Sequence, residues 1–238
     1  MNQQQKCVVE LRPFPMWGPH LVGKADEGED DFVIDFFNGE KGLTVVDVGA
    51  ADGVTGSNSF RLITEYGWTG LLIEPHPAFT RYLKKLYKMF PCNVSILEVA
   101  IDKEDGEKTF HFPPMHAHGM GTISEEFRYE AQKESFECPK TGLKGETAVK
   151  TLTLNSVLEN SELEIDEIDF LSIDTEGHDL VVLESLDFEK YSPKIICIEQ
   201  YISKVKGEAE RWTERLRLKM KNLGYFNIKK THSNLLFS

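Results

Sequence analysis

Short apolar runs alternate along the chain with segments whose apolar residues recur every three or four positions. Leu43-Thr-Val-Val runs into Asp47, Trp68 to Ile73 into Glu74, and Val94 to Ala100 into Ile101 and Asp102. Later, Ile168 to Ile173 runs into Asp174, and Lys194 to Ile198 into Glu199 and Gln200. Runs of this length predict strands buried on both faces, as in a parallel sheet. Between them lie predicted helices over 29–38, 60–66, 77–89, 155–158, 178–186 and 208–223. In the third of these Phe79, Leu83, Leu86 and Met89 share one face; in the last, Ala209, Trp212, Leu216, Met220 and Leu223 do so. The order strand–helix–strand predicts an α/β domain with right-handed crossovers, closed by an antiparallel pair over 225–230 and 235–237.

Two stretches break the pattern. Residues 1–28 carry Pro13, Pro15, Pro19, Gly18 and Gly23 and read as an irregular arm, packed by Phe14, Met16 and Trp17. After an edge strand at Thr109–Phe112, residues 113–147 are rich in Pro, Gly, His and Met, and 148–154 return to alternation. We expect 113–147 to be a lid inserted into a domain spanning 29–238, with a short helix from Thr122 because Thr122 and Glu125 form a T-x-x-E capping pattern.

Charge narrows the choice of partner. With 27 basic and 39 acidic residues the net charge is −12, which opposes nucleic acid or anionic membranes as the main target. Arg81, Lys84, Lys85 and Lys88 read as the solvated face of their helix. The sequence contains neither a run of about 18 apolar residues nor a basic start followed by an apolar core. Cys7, Cys92, Cys138 and Cys197 are scattered and form no C-x-x-C pair, so free thiols and a cytoplasmic setting are expected.

The candidate chemistry begins after the first strand, where Gly49, Gly53 and Gly56 follow Asp47 at short spacing. Glycines there let the backbone turn and approach a ligand closely. A dinucleotide fingerprint surrounds a pyrophosphate, whereas Asp47 and Asp52 would repel one. Two carboxylates suit a ligand bearing an ammonium and a sulfonium, which favours S-adenosylmethionine over NAD. Glu74 then stands where a carboxylate accepts both ribose hydroxyls, and Asp102 or the backbone of Ile101 where an adenine amino group donates. Ser57, Asn58 and Ser59 either bind the methionyl carboxylate or cap the next helix.

D-V-G-A-A-D-G-V-T-G-S-N-S at 47–59, G-W-T-G-L-L-I-E-P at 67–75, F-L-S-I-D-T-E-G-H-D at 170–179 and N-L-L-F at 234–237 together resemble the FkbM-type S-adenosylmethionine-dependent methyltransferases. The resemblance runs over 29–112 and 148–238 and leaves out the arm and most of the lid. It implies a Rossmann-like seven-stranded methyltransferase sheet, of order 3-2-1-4-5-7-6 with the last strand antiparallel. It places Asp47, Gly49, Ala50, Ala51, Gly53, Ser57, Asn58, Glu74, Pro75, Ile101, Asp102 and Asp174 around the cofactor. Ala51 departs from the wider class, where glycine is frequent at its position.

On the acceptor side, transfer to a hydroxyl needs in-line placement and a group to manage the proton. Asp174, Glu176 and His178 follow the fourth strand and are the catalytic candidates, with His178 the natural base by pKa. Asp174, Glu199 and Gln200 resemble the oxygen set that holds Mg2+ in metal-dependent O-methyltransferases. His111, His116 and His118 lack a fourth ligand at regular spacing, and Met115, His116, Met120 and Phe127 suit an acceptor pocket wall. The expected activity is O-methylation of a sugar, glycan or secondary metabolite, with homo-oligomerisation left open. The alternatives are a non-catalytic nucleoside-binding module and an NAD-dependent oxidoreductase.

Overall fold

The computed structural model describes residues 23–112, 121–124, 145–200 and 207–238. In chain order the elements are β1 (Lys24–Ala25), α1 (Glu29–Phe36), β2 (Thr44–Val48), β3 (Thr55–Gly56), α2 (Phe60–Thr64), β4 (Thr69–Ile73), α3 (Pro77–Tyr87), β5 (Val94–Leu97) and β6 (Ala100–Ile101). They continue with β7 (Gly106–Phe112), β8 (Gly145–Leu152), α4 (Leu154–Glu159), β9 (Phe170–Ile173), α5 (Asp179–Glu184), β10 (Ile195–Glu199), α6 (Glu208–Asn222), β11 (Ile228–Lys230) and β12 (Asn234–Phe237).

The main sheet has seven strands in the order β11-β12-β10-β9-β2-β4-β5. β2 pairs in parallel with β4 and β9, in the register Val46↔Leu71 and Val46↔Leu171. β12 runs antiparallel to both of its neighbours. This is the order expected from the family resemblance. The runs ending in Asp47, Glu74, Asp174 and Glu199 therefore finish side by side, on the edge where doubly wound sheets bind ligands.

Alternation along β2 divides the core. Val46 and Val48 pack with Leu154 and Val157 of α4, Leu183 of α5, and Leu216 and Met220 of α6. Val45 faces the other layer, with Val33 of α1, Leu62 of α2, and Leu83 and Leu86 of α3. Leu83 and Leu86 are fully buried, at about 1.5–3 kcal/mol of transfer free energy each. On the outer side of α3, Arg81, Lys84, Lys85 and Lys88 are exposed, a solvated face.

Three expectations change. The third strand is not continuous: β5 stops at Leu97, and Ala100–Ile101 crosses to a small sheet of order β6-β8-β7. The lid has a long antiparallel stem, from Gly106↔Thr151 to Phe112↔Gly145, so β7 and β8 extend beyond the strands predicted there. Thr122 does not start a helix among the described residues. Its N–H and C=O both pair with His111 at 2.9 Å, and its hydroxyl accepts from Ser124 N. Glu125, Met115, His116, His118, Met120, Phe127 and the packing residues of the arm lie outside the described residues.

The visible end of the arm is built in. β1 pairs in parallel with β3. Glu29 accepts from Thr231 Oγ1 and Asn234 Nδ2, and Glu27 accepts from the backbone N–H groups of His232 and Ser233. Among the described residues no helix is long and apolar enough to cross a membrane.

Candidate active site

The chain leaves β2 through a loop that only certain residues can occupy. A Cβ on Gly49 would stand 1.7 Å from the Asp174 carbonyl oxygen, and φ is 90°. Gly49 N and Ala50 N both donate to Ile73 O, at 2.9 and 3.1 Å, which folds the loop over the end of β4. Ala51 takes a left-handed φ of 44°, and its N–H donates to Glu74 Oε2 at 2.9 Å. Asp52 closes the loop from within. Its Oδ1 accepts from Val54 N and Thr55 N at 2.9 and 2.7 Å, and its Oδ2 from Thr55 Oγ1 at 2.7 Å. Asp52, expected with Asp47 to suit a ligand's ammonium and sulfonium, here braces the loop.

The polar residues that follow are also committed. Ser57 Oγ accepts from Phe60 N at 3.1 Å, which satisfies the first N–H of α2. Asn58 Nδ2 donates to Ser172 Oγ at 3.1 Å, and Ser59 Oγ donates to Asp47 Oδ2 at 2.5 Å. Burial pushes Asp47 up to about 6, against the hydroxyls of Ser59 and Ser172. Glu74 accepts from His76 N at 2.7 Å on one oxygen and from Ala51 N on the other. Burial, with a contribution from the charge of Asp47, pushes it up to about 7. A carboxylate offers about four acceptor positions, so Glu74 keeps capacity for two further donors.

A cleft of about 520 Å³, counted to its open mouth, runs along the strand ends. Gly49, Ala51, Glu74, Pro75 and Phe79 form one wall, and Val99 to Ile101 with Phe110 and Gly121 to Ile123 of the insertion form another. Asp174, Thr175 and His178 complete the lining. Of the expected positions, Gly49, Ala51, Glu74, Pro75, Ile101, Asp174 and His178 are thus on the lining. Asp47, Ala50, Gly53, Ser57, Asn58, Asp102, Glu176, Glu199 and Gln200 are not. Gly53 serves packing, since a Cβ there would sit 2.3 Å from Leu83 Cδ2.

Asp102 departs most from its expected task. It is 1% exposed, with Lys108 Nζ 2.5 Å from Oδ2 and His178 Nε2 3.0 Å from Oδ1. Burial opposes its ionisation, yet Lys108, the Lys103 backbone and His178 hold it below the usual carboxylate range. His178 is pushed down by burial, against the pull of Asp102, so the ring is neutral at neutral pH.

Near His178 the acids gather. Asp174, Glu176 and Glu199 each offer a carboxylate oxygen within 4.8 Å of the others, Asp174 exposed and the other two half-buried. Surrounding protein and the charges of Asp179 and Asp47 push Asp174 up to about 7. Glu176 and Glu199 are pushed up by burial and by Asp174. Glu176 holds a left-handed φ of 54°. Asp179 braces the turn, accepting from Thr175 N at 2.8 Å, Thr175 Oγ1 at 3.0 Å and Gly177 N at 3.2 Å. Gln200 is held by its amide nitrogen beside the turn that leads into β12. Its Nε2 donates to the carbonyls of Thr231, His232 and Asn234, and Glu176 joins Asp174 and Glu199 in the carboxylate cluster.

A family model described as the methyltransferase FkbM domain matches residues 47–226. The chain belongs to the FkbM methyltransferase family. Membership of this methyltransferase family implies S-adenosylmethionine as cofactor, and the NAD-dependent reading is set aside. A solved FkbM methyltransferase from Methylobacillus flagellatus matches with 14% identity and a TM-score of 0.48, covering 83% of this chain and 44% of that one. The chain thus spans less than half the length of that relative. A Staphylococcus aureus protein proposed to be a caffeoyl-CoA O-methyltransferase matches with 12% identity and a TM-score of 0.52, covering 99% and 91% of the two chains. This likeness shows the fold alone. No curated protein matches the sequence.

The FkbM cleft fits its cofactor on chemistry present in the structure. A buried carboxylate with spare acceptor capacity suits a ribose diol. The apolar side chains of Ile73, Phe79, Val99 and Ile101 suit a purine ring. The sequence reading missed Phe79, Phe110, Gly121 and Ile123 as lining. Phe79 carried only a core signal, and the others belong to a segment whose placement depends on pairings distant in the chain.

Proposed function

We propose that this methyltransferase moves the methyl group of S-adenosylmethionine to a hydroxyl oxygen of a sugar, glycan or secondary metabolite. The observation that supports this is a neutral imidazole, His178, on the cleft lining beside Asp174 and Thr175. A hydroxyl is a poor nucleophile, so a group that accepts its proton lowers the barrier, typically by a factor of about 10²–10⁴. Glu74 takes the ribose hydroxyls, Ile101 and Phe79 flank the adenine, and the Gly49–Ala51 backbone borders the methionyl group. The acceptor oxygen forms its bond to the methyl carbon as the carbon–sulfur bond breaks. Sulfur keeps the electron pair as a neutral thioether, and the hydroxyl proton passes to His178.

A second reading rests on the three converging carboxylates. Asp174, Glu176 and Glu199 are hard oxygen donors of the kind that bind Mg2+. An ion held there would lower the pKa of an acceptor hydroxyl.

Transfer from S-adenosylmethionine labelled in its methyl group into a host extract, with and without EDTA, tests both. Label recovered on an oxygen supports O-methylation, and label on nitrogen or carbon overturns it. Activity that persists in EDTA counts against the ion. Cofactor binding with no transfer to any hydroxylated acceptor would favour the nucleoside-binding module.

A further inference from the structure

Asp102 is 1% exposed, and a carboxylate taken so far from water costs several kcal/mol unless donors surround it. Besides the Lys103 backbone, the two side chains that do so come from separate parts of the chain. Lys108 lies on β7 of the inserted sheet, 2.5 Å from Oδ2. His178 lies at the start of α5, with Nε2 3.0 Å from Oδ1. Helix capping does not explain the direction of the imidazole, because His178 occupies the N-cap of α5 without a side-chain capping bond. The same side chain lines the cleft next to Asp174 and Thr175.

An ionised carboxylate only accepts hydrogen bonds. The ring nitrogen facing Asp102 must then carry hydrogen, which leaves Nδ1 as the basic atom. We propose that Asp102 is a positioning residue for methyl transfer. Through Oδ1 it fixes His178 as the Nε2–H tautomer, and Lys108 steadies it from the inserted sheet. This rests on the reading of His178 as the acceptor's base. In the step itself the acceptor oxygen bonds the methyl carbon, sulfur leaves with its electron pair, and the hydroxyl proton moves to Nδ1. The imidazolium so formed faces the Asp102 carboxylate, then releases a proton to solvent. Asp102 is 1% exposed and off the cleft lining, so adenine recognition falls to other groups of the cleft.

The test is ¹⁵N-histidine NMR of the full chain, with and without S-adenosylhomocysteine, the His178 signals being assigned through His178→Gln. The proposal expects hydrogen on Nε2 and none on Nδ1 in the unsubstituted protein; hydrogen on Nδ1 overturns it whatever the variants do. Asp102→Asn should redistribute the tautomers and lower kcat for transfer to the labelled acceptor fraction on the order of 100-fold. Its Kd for S-adenosylhomocysteine should stay within about twofold, since a positioning role leaves nucleoside binding unchanged. Lys108→Met should keep the tautomer and lose less activity than Asp102→Asn. Weakening of S-adenosylhomocysteine binding with kcat unchanged would return Asp102 to a nucleoside-binding role and overturn the proposal. Lost transfer in His178→Gln with an unaltered tautomer in Asp102→Asn overturns the positioning alone. Undiminished transfer in His178→Gln overturns the base reading and the proposal together.

Discussion

Ala51 holds a backbone conformation that costs an L-residue roughly 1–2 kcal/mol, with φ at 44°. Its N–H bond to Glu74 holds the strained loop in register. Ala51→Gly relieves the strain and loses part of the gain to chain entropy, so stability should rise by up to about 1 kcal/mol. Scanning calorimetry should show this as a Tm higher by about 2–4 °C. Gly49→Ala should do the reverse. The added methyl would meet the Asp174 carbonyl oxygen, a backbone atom that cannot swing away. We expect a loss of more than about 3 kcal/mol, or no soluble folded protein, from a urea melt. The departure of Ala51 from glycine was visible in the sequence, whereas the reason Gly49 is required was not. That reason is a carbonyl 125 positions later.

At the scale of elements, the apolar runs predicted β2, β4, β9 and β10, because strands buried on both faces leave a strong local mark. The handover at Ala100–Ile101 left no such mark. Its partner is Thr151–Leu152, and a pairing so distant has no expression in local periodicity. The acids divide in the same way. Asp52 and Asp179 stand beside glycine turns just as ligand-binding acids do, yet both are turned onto nearby N–H groups. Only the coordinates distinguish an acid that braces a loop from one that meets a ligand. The turn between β11 and β12 shows what such acids contribute to an element. Buried Glu29 holds it through Thr231 Oγ1 at 2.8 Å and Asn234 Nδ2 at 2.9 Å. Glu29→Ala should cost about 2 kcal/mol, since hydrogen bonds to a charged group are lost and the buried Asn234 amide loses its acceptor. The urea midpoint should fall while the m-value is retained.

For the whole molecule, the strand-end acids make stability depend on pH. Asp47 is held at about 6 and Glu74 and Asp174 at about 7, all above their ordinary values. Between the unfolded and folded pKa values the folded chain binds protons that the unfolded chain has released. Their contribution to stability is therefore full below about pH 4 and lost as pH rises through 6 to 7. The acids held low, Asp102, Asp31 and Glu27, oppose this only under more acidic conditions. His76 and His178, pushed down by burial, oppose it below the usual imidazole value and reduce the slope without reversing the sign set by the three raised acids. The cofactor-free protein should thus have a higher Tm near pH 5 than at pH 8, and Glu74→Gln should flatten that slope. A Tm that rises from pH 5 to pH 8 would contradict the burial of Asp47 and Glu74. Ionised Glu74 is also the form that accepts ribose hydroxyls, so cofactor affinity should increase over the same interval.

The central claim is that S-adenosylmethionine occupies the cleft at the strand ends with its ribose on Glu74. Titration calorimetry of S-adenosylhomocysteine at pH 8, into the unsubstituted protein and Glu74→Gln, tests it most directly. The account predicts one-to-one binding by the unsubstituted protein and a loss of about tenfold or more in the variant, as for a hydrogen-bonded charged acceptor. Absence of binding by the unsubstituted protein, or equal affinity in the two, would contradict it.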